Sequence, residues 1–312
     1  LTGGGTCTAL VHTADGGDTW QGMPTPPANV TGVGDCADPC VRSIRFANDQ
    51  IGYAYGPSAF FMTTNGGKSW QREPGGADAL ETLDGNVIRV AARNACSPPG
   101  CVYGVQIAPL GSVAWHDVGL SATTTGSSVG VALARTGHRA FVEVFGHTSG
   151  GGQNATSALY TSADDGVTWA ARGEPCPQSG GEIDSTAITT APDGSVTVLC
   201  TRRGARGTQF TSTSTDGGAT FRAGGPLASG SSPGGLLGAA SAQVQFVISD
   251  ALYRTQDGGQ TWRSVPAVSL GPGTAIFVGF ESAAVGRAVT DSGRTVWTTR
   301  DAGLTWTAHT FH

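Results

Sequence analysis

Glu182 and Asp184 stand two residues apart, and Asp35 and Asp38 three apart, in stretches otherwise rich in glycine, serine and proline. Two carboxyl groups about 5 to 10 Å apart across a groove are what acid/base cleavage of a glycosidic bond requires. Glu182 and Asp184 are therefore candidate catalytic carboxylates, and Arg42 is a candidate clamp for an anionic substrate, because a planar guanidinium matches a carboxylate fork. The plainer alternative for the carboxylates is solvation in loops. The densest positive run, Arg202, Arg203 and Arg206, is a candidate binding patch for an acidic protein, a sulfated or uronic sugar, or a phosphate; the alternative is a solvated turn. No His/Asp/Cys spacing suits a metal, and neither metal nor cofactor is expected.

The elements that must position these groups are set by a repeat. Thr13-Ala-Asp15-Gly-Gly-Asp-Thr19-Trp20 recurs at 63–70 (Asn65, Trp70), 162–169 (Asp164, Trp169), 214–221 (Asp216, Phe221), 255–262 (Asp257, Trp262) and 299–306 (Asp301, Trp306). A degenerate copy near 108–115 ends on Trp115. The aromatic positions fall 41 to 54 residues apart, the span of a four-stranded propeller blade. In each copy the carboxylate or amide accepts backbone N–H groups across a turn, glycine supplies positive φ, a hydroxyl closes the turn, and the aromatic ring opens the next strand as an apolar wedge. One such blade reads as strands at 275–280, 284–290, 294–299 and 304–309.

Composition agrees with an all-β chain of short strands: 13% charged residues, 49 glycines and a single lysine, Lys68. A net charge of −5 without a basic run argues against nucleic acid as a partner. No stretch approaches the roughly 18 to 20 apolar residues of a membrane-spanning helix, so none is expected in this chain. Seven cysteines without a metal-like CxxC pair point to disulfides and an oxidising compartment. Cys96 and Cys101 bracket Ser-Pro-Pro-Gly and are expected to bridge; Cys36 pairs with Cys40, or one of the two takes Cys7, leaving one cysteine over.

The S/T-x-D-x-G-x-T/S-W/F pattern resembles the Asp box, or BNR repeat, of sialidases, sortilin-type receptors, xyloglucan hydrolases and photosystem II assembly factors. Val41-Arg-Ser-Ile-Arg45-Phe46 followed by Ile51-Gly-Tyr53-Ala-Tyr55-Gly56 is similar to two blade strands of the last group. The resemblance covers essentially residues 1–312 and implies one seven-bladed propeller; the twelve residues before the first box are too few for two strands, so the inner strand of the first blade is expected to be either absent from this chain or supplied in an unusual way. It implies boxes joining third and fourth strands on one face, and useful residues on the other, top face. Cys176 then enters a blade at the rim where Cys200 ends its second strand, and the two are expected to bridge.

A sialidase would need a tyrosine nucleophile activated by a glutamate, and an arginine triad. The Phe/Tyr-Arg-Ile/Leu-Pro signature is absent, and Tyr53, Tyr55, Tyr103, Tyr160 and Tyr253 all fall away from inner strands. The expectation is a non-catalytic, extracytoplasmic binding or scaffolding propeller, monomeric, with a protein or glycan ligand on a disulfide-stapled top face and room for an anchor before residue 1. The alternative is a sialidase-like or other carbohydrate-active hydrolase.

Overall fold

The computed structural model describes residues 10–30, 39–93, 100–125, 128–147, 156–176, 183–202, 208–227 and 235–311. The box at 13–20 sits in a hairpin of β1 (Leu10–His12) and β2 (Gln21–Met23); β3 (Asn29–Val30) pairs in parallel with β4 (Cys40–Val41). Six four-stranded sheets follow. The first holds β5 (Ser43–Phe46), β6 (Gly52–Gly56), β7 (Ala59–Thr63) and β8 (Gln71–Glu73). The second holds β9 (Ala79–Thr82), β10 (Asn86–Ala92), β11 (Gly100–Pro109) and β12 (His116–Thr125). The third is β13 (Ser128–Thr136), β14 (Arg139–His147), β15 (Thr156–Ser162) and β16 (Ala170–Arg172). The fourth is β17 (Ile183–Thr190), β18 (Val196–Arg202), β19 (Thr208–Ser214) and β20 (Arg222–Ala223). The fifth is β21 (Leu236–Ala239), β22 (Gln245–Ile248), β23 (Leu252–Thr255) and β24 (Arg263–Ser264). The sixth is β25 (Phe277–Phe280), β26 (Gly286–Thr290), β27 (Thr295–Thr299) and β28 (Thr307–Thr310).

The chain forms two compact units, Leu1–Ala91 with Gln106–Asp117, and Ala92–Val105 with Val118–His312. In the one, inner strand β5 lies beside β9; in the other, β13 lies beside β17, β17 beside β21 and β21 beside β25. Sheets joined through their first strands are propeller blades, and the fold is an all-β propeller of four-stranded antiparallel blades. Six such blades are present among the described residues, not seven. A box marks only the link from a third strand to a fourth, so counting boxes counts the β1–β2 hairpin as a blade.

Box geometry follows from its side chains. In the box at 255–262, Thr255 Oγ1 donates to Asp257 Oδ1 (2.7 Å) and accepts from Gly259 N–H (3.0 Å). The Thr261 N–H donates to Oδ1 (2.9 Å) and its hydroxyl to Oδ2 (2.6 Å), while the Trp262 indole donates to Gly259 O (3.0 Å). Asn65 preserves the turn with its amide, Nδ2 donating to Ser69 Oγ at 2.8 Å. Two successive residues after the box acid take positive φ; the second is always glycine, and the first tolerates Asp165 (φ 57°) and Ala302 (φ 56°).

The link at 108–115 has no acid and is held differently. Gly111 N–H donates to Tyr53 Oη (2.9 Å), and the buried Arg89 guanidinium lies over the rings of Trp115 (4.2 Å) and Phe60 (5.4 Å). A cation–π stack thus substitutes for the box carboxylate.

The box hydroxyls and N–H groups hold the aspartates below the usual carboxylate range. For Asp257 the Thr261 hydroxyl is the first cause and the Thr261 N–H the second, and its pKa falls to about 2. Asp301 also falls to about 2, and Asp15 and Asp216 lie lower still. Because folding depresses these values, the stabilisation is complete above the ordinary value of 3.8 and is lost as pH falls through the folded values. An acid titration followed by tryptophan fluorescence should therefore show stability declining between about pH 4 and 2, and Asp257→Asn should flatten part of that decline. Superimposable slopes for the two proteins would remove the box acids from the account.

Candidate functional site

In every blade the 1–2 and 3–4 links share one end, so the boxes lie there; the 2–3 links and the entry to each first strand lie at the other. The candidate site lies at that second end. Between the fifth and sixth blades it opens into a pocket of about 500 Å³, lined by Leu236, Ile248, Leu270 and Ala275 on the apolar side and by Ser249, Asp250 and Thr274 on the polar side.

One wall of the pocket is clasped. Asp291 and Ser292, in the link from β26 to β27, both adopt left-handed backbone (φ 51° and 54°), a conformation costing roughly 1–2 kcal/mol per non-glycine residue. Four hydrogen bonds hold them there. Asp291 N–H donates to Leu270 O (3.1 Å) and Ser292 N–H to Thr274 O (2.7 Å), while Gly273 N–H donates to Asp291 Oδ1 (2.9 Å) and Thr274 N–H to Ser292 Oγ (3.1 Å). A side chain at 273 would meet Asp291 Oδ1 and Ser292 Oγ, each at 2.7 Å, which fixes glycine at that position. Thr290 Oγ1 adds a bond to Ser269 O (3.3 Å). The 269–274 segment is a preformed wall.

Across the pocket, Tyr253 Oη donates to Asp250 Oδ1 (3.0 Å). Burial first, and then this hydrogen bond and the carboxylate charge, push the Tyr253 phenol up, so it stays a donor. Ser249 Oγ is shielded from solvent and makes no hydrogen bond among the described residues.

The described cysteines lie at this same end of their own blades, in the entry segments (Cys40, Cys176) or where second and third strands meet (Cys101, Cys200), and all four are disulfide-bonded. Cys176 joins Cys200 (S–S 2.07 Å, Cα–Cα 5.8 Å), tying the entry into the fourth blade to its second strand. Cys96, expected to pair with Cys101, lies outside the described residues, as do Cys36 and Cys7, the two partners left open for Cys40.

Of the residues singled out from sequence, Glu182, Arg203 and Arg206 lie outside the described residues. Arg202 ends β18 opposite Ile183 and Thr208, and Asp184 occupies the β17 position opposite Thr201, so both belong to the box-distal rim of the fourth blade. Arg42 is exposed just before β5, its N–H donating to Tyr55 O (2.8 Å). Arg42 and Asp184 belong to different compact units.

The structure assembles a group that sequence reading dispersed. On neighbouring inner strands Arg45 pairs with Glu81 at 2.6 Å, and Tyr55 on β6 packs behind them, bonded to Ser43. Burial, and then the Glu81 charge, push Tyr55 up to about 12. Thirty-odd residues and a whole outer half-blade separate Arg45 from Glu81 in sequence, so only strand order brings them together.

No family model matches the sequence, and no curated protein does. Solved structures do. YCF48 from Cyanidioschyzon merolae superposes with a TM-score of 0.61 at 17% identity, over 95% of this chain and 89% of that one. The Hadza microbial sialidase Hz136 gives 0.50 at 15%, over 85% and 67%. An ancestral GH74 enzyme gives 0.52 at 14%, over 94% of this chain but 40% of that one. At these identities the likeness is one of fold.

Proposed function

We propose that this chain, an Asp-box-type β-propeller by motif and by fold, is a non-catalytic binding module that works in an oxidising, extracytoplasmic setting and holds a protein ligand at the blade ends opposite the boxes. The observation that carries it is the concentration of fixed structure there: every described cysteine is oxidised at that end, and the 269–274 wall is locked by the Asp291–Ser292 clasp. Disulfides and strained turns that rigidify a surface reduce the ordering cost of binding. The Arg202 rim extends the same end of the fourth blade and offers a donor for an acidic group.

The test is selection of a random peptide library on the immobilised, oxidised protein, followed by titration of the selected peptides. Enriched sequences that bind the oxidised form and are lost on reduction support the module; no enrichment over a reduced, unfolded control overturns it.

A hydrolase reading is favoured by one observation, the Arg45–Glu81 pair beside Tyr55. Its chemistry runs the wrong way, since a tyrosine nucleophile needs its phenolate made accessible, whereas burial raises Tyr55 to about 12. A panel of fluorogenic sialosides and aryl glycosides should show no turnover. Turnover abolished by Glu81→Gln would reverse the choice between the two functions.

A further inference from the structure

The residues that flank a box face one another across the third and fourth strands of its blade. The pairs are Met62 with Gln71, Thr161 with Ala170, Thr213 with Arg222 and Thr298 with Thr307, but in the fifth blade Arg254 faces Arg263. Like charges directly opposite on one sheet face destabilise it, and a local rule broken in this way is expected at a functional or strained site. From this pair and the cavity it lines we infer a second site, at the box end of the fifth and sixth blades, for a dianionic oxyanion: a phosphate or sulfate, free or carried as an ester. The inference does not rest on the binding-module proposal, which concerns the opposite blade ends.

Both arginines line an open cavity of about 630 Å³ between the boxes of the two blades, together with Val265, Pro266, Ala267 and Leu304. Arg254 is fixed in place. Its Nε donates to Ala302 O (3.0 Å), its guanidinium lies 5.9 Å from the centre of the Phe246 ring, and the Gln256 amide oxygen, turned inward, accepts from Nη1 and from Nη2 (3.1 Å). A second N–H on each Nη is left over. Neither arginine forms an ion pair among the described residues. The nearby acids are committed to their own boxes: Asp257 accepts from Thr255 and Thr261, and Asp301 from Thr299, Leu304 and Thr305. They lower the local field but leave both guanidinium groups without a carboxylate in contact. Burial pushes Arg254 below its ordinary value, with the Asp301 charge acting in the opposite sense. An oxyanion seated between the two guanidinium groups converts their repulsion into two sets of charge-assisted hydrogen bonds, and a dianion matches their combined charge. The cavity is larger than a bare ion needs, and Val265, Pro266 and the exposed Leu304 offer apolar surface to the body of an ester.

The experiment titrates the full oxidised chain, at constant ionic strength, with inorganic phosphate, phenyl phosphate, benzoate and benzyl alcohol. The readout is the Nε–H resonances of Arg254 and Arg263 with the amides of Val265 and Leu304. Both phosphates should shift these signals saturably and raise the melting midpoint, whereas benzoate should bind more weakly than phenyl phosphate and benzyl alcohol should not bind. Arg263→Gln should cost about tenfold in phosphate affinity without lowering the midpoint of the free protein, since it removes the like-charge contact. Arg222→Gln, at the matching position of the fourth blade, should leave phosphate affinity unchanged. Phenyl phosphate binding more tightly than phosphate assigns the site to an esterified ligand, and equal binding assigns it to the free ion. No saturable shift with either phosphate, equal losses in the two variants, or benzoate or benzyl alcohol binding as tightly as phenyl phosphate would each overturn the inference.

Discussion

Replacing Cys176 and Cys200 together by alanine lowers the melting midpoint of the oxidised protein by roughly 6–12 °C. The bridge closes a loop of sequence separation 24, which in the chain-entropy model stabilises the folded state by about 3 kcal/mol. At about 2–4 °C per kcal/mol for a chain of this order, that sets the shift. Both sulfurs are fully buried among Val198 and Phe210, with Ile188 and Phe221 packed against them, so alanine also leaves unfilled space. A reductant strong enough to open this bridge should also lower the midpoint of the unmodified protein, although it opens the bridges of Cys40 and Cys101 as well. A melting curve unmoved by the double replacement would mean that the staple does not hold the blade entry.

Gly303→Ala costs about 2–4 kcal/mol, while Gly85→Ala costs about 1 kcal/mol, although both glycines have positive φ. Gly303 (φ 77°) is the box glycine of the sixth blade, and a β-carbon there would stand 2.3 Å from the ring of Phe246 in the fifth. That ring stacks on Phe280 at 4.7 Å and meets Trp306 edge-on at 6.0 Å, so it has nowhere to go. Gly85 (φ 82°) faces open space, so alanine there incurs only the left-handed penalty. The contrast, read by chemical denaturation, isolates the role of the box as a fastener between blades. Equal losses at the two positions would reduce the box to an ordinary turn.

The boxes were legible because each residue is chosen by local geometry. The acid, the hydroxyls, the second glycine and the aromatic ring are all needed within one turn, and the structure uses each of them, Asn65 included. Third and fourth strands flanking a box were legible for the same reason, although the expected strand at 304–309 begins at Thr307. The blade count was not, since a box reports half a blade. The pocket was hidden because its wall joins 269–274 to 290–292 through backbone groups, and because Asp291 and Ser292 carry no glycine to announce their left-handed turn. Arg89 was equally silent: nothing in its neighbours shows that it replaces a box acid by stacking on Trp115. The candidate carboxylates drew attention through proximity in sequence, whereas the closest carboxylate–guanidinium contact on inner strands among the described residues, Arg45 with Glu81, is made between residues far apart along the chain.

The most direct test of the central claim is hydrogen exchange of the full oxidised chain with and without a library-selected peptide. The account predicts slowed exchange at the blade ends opposite the boxes, above all in 235–239, 248–250 and 270–275, with the box segments 214–221, 255–262 and 299–306 unchanged. Protection confined to the box segments, with the 270–275 wall exchanging as in the free protein, would contradict it.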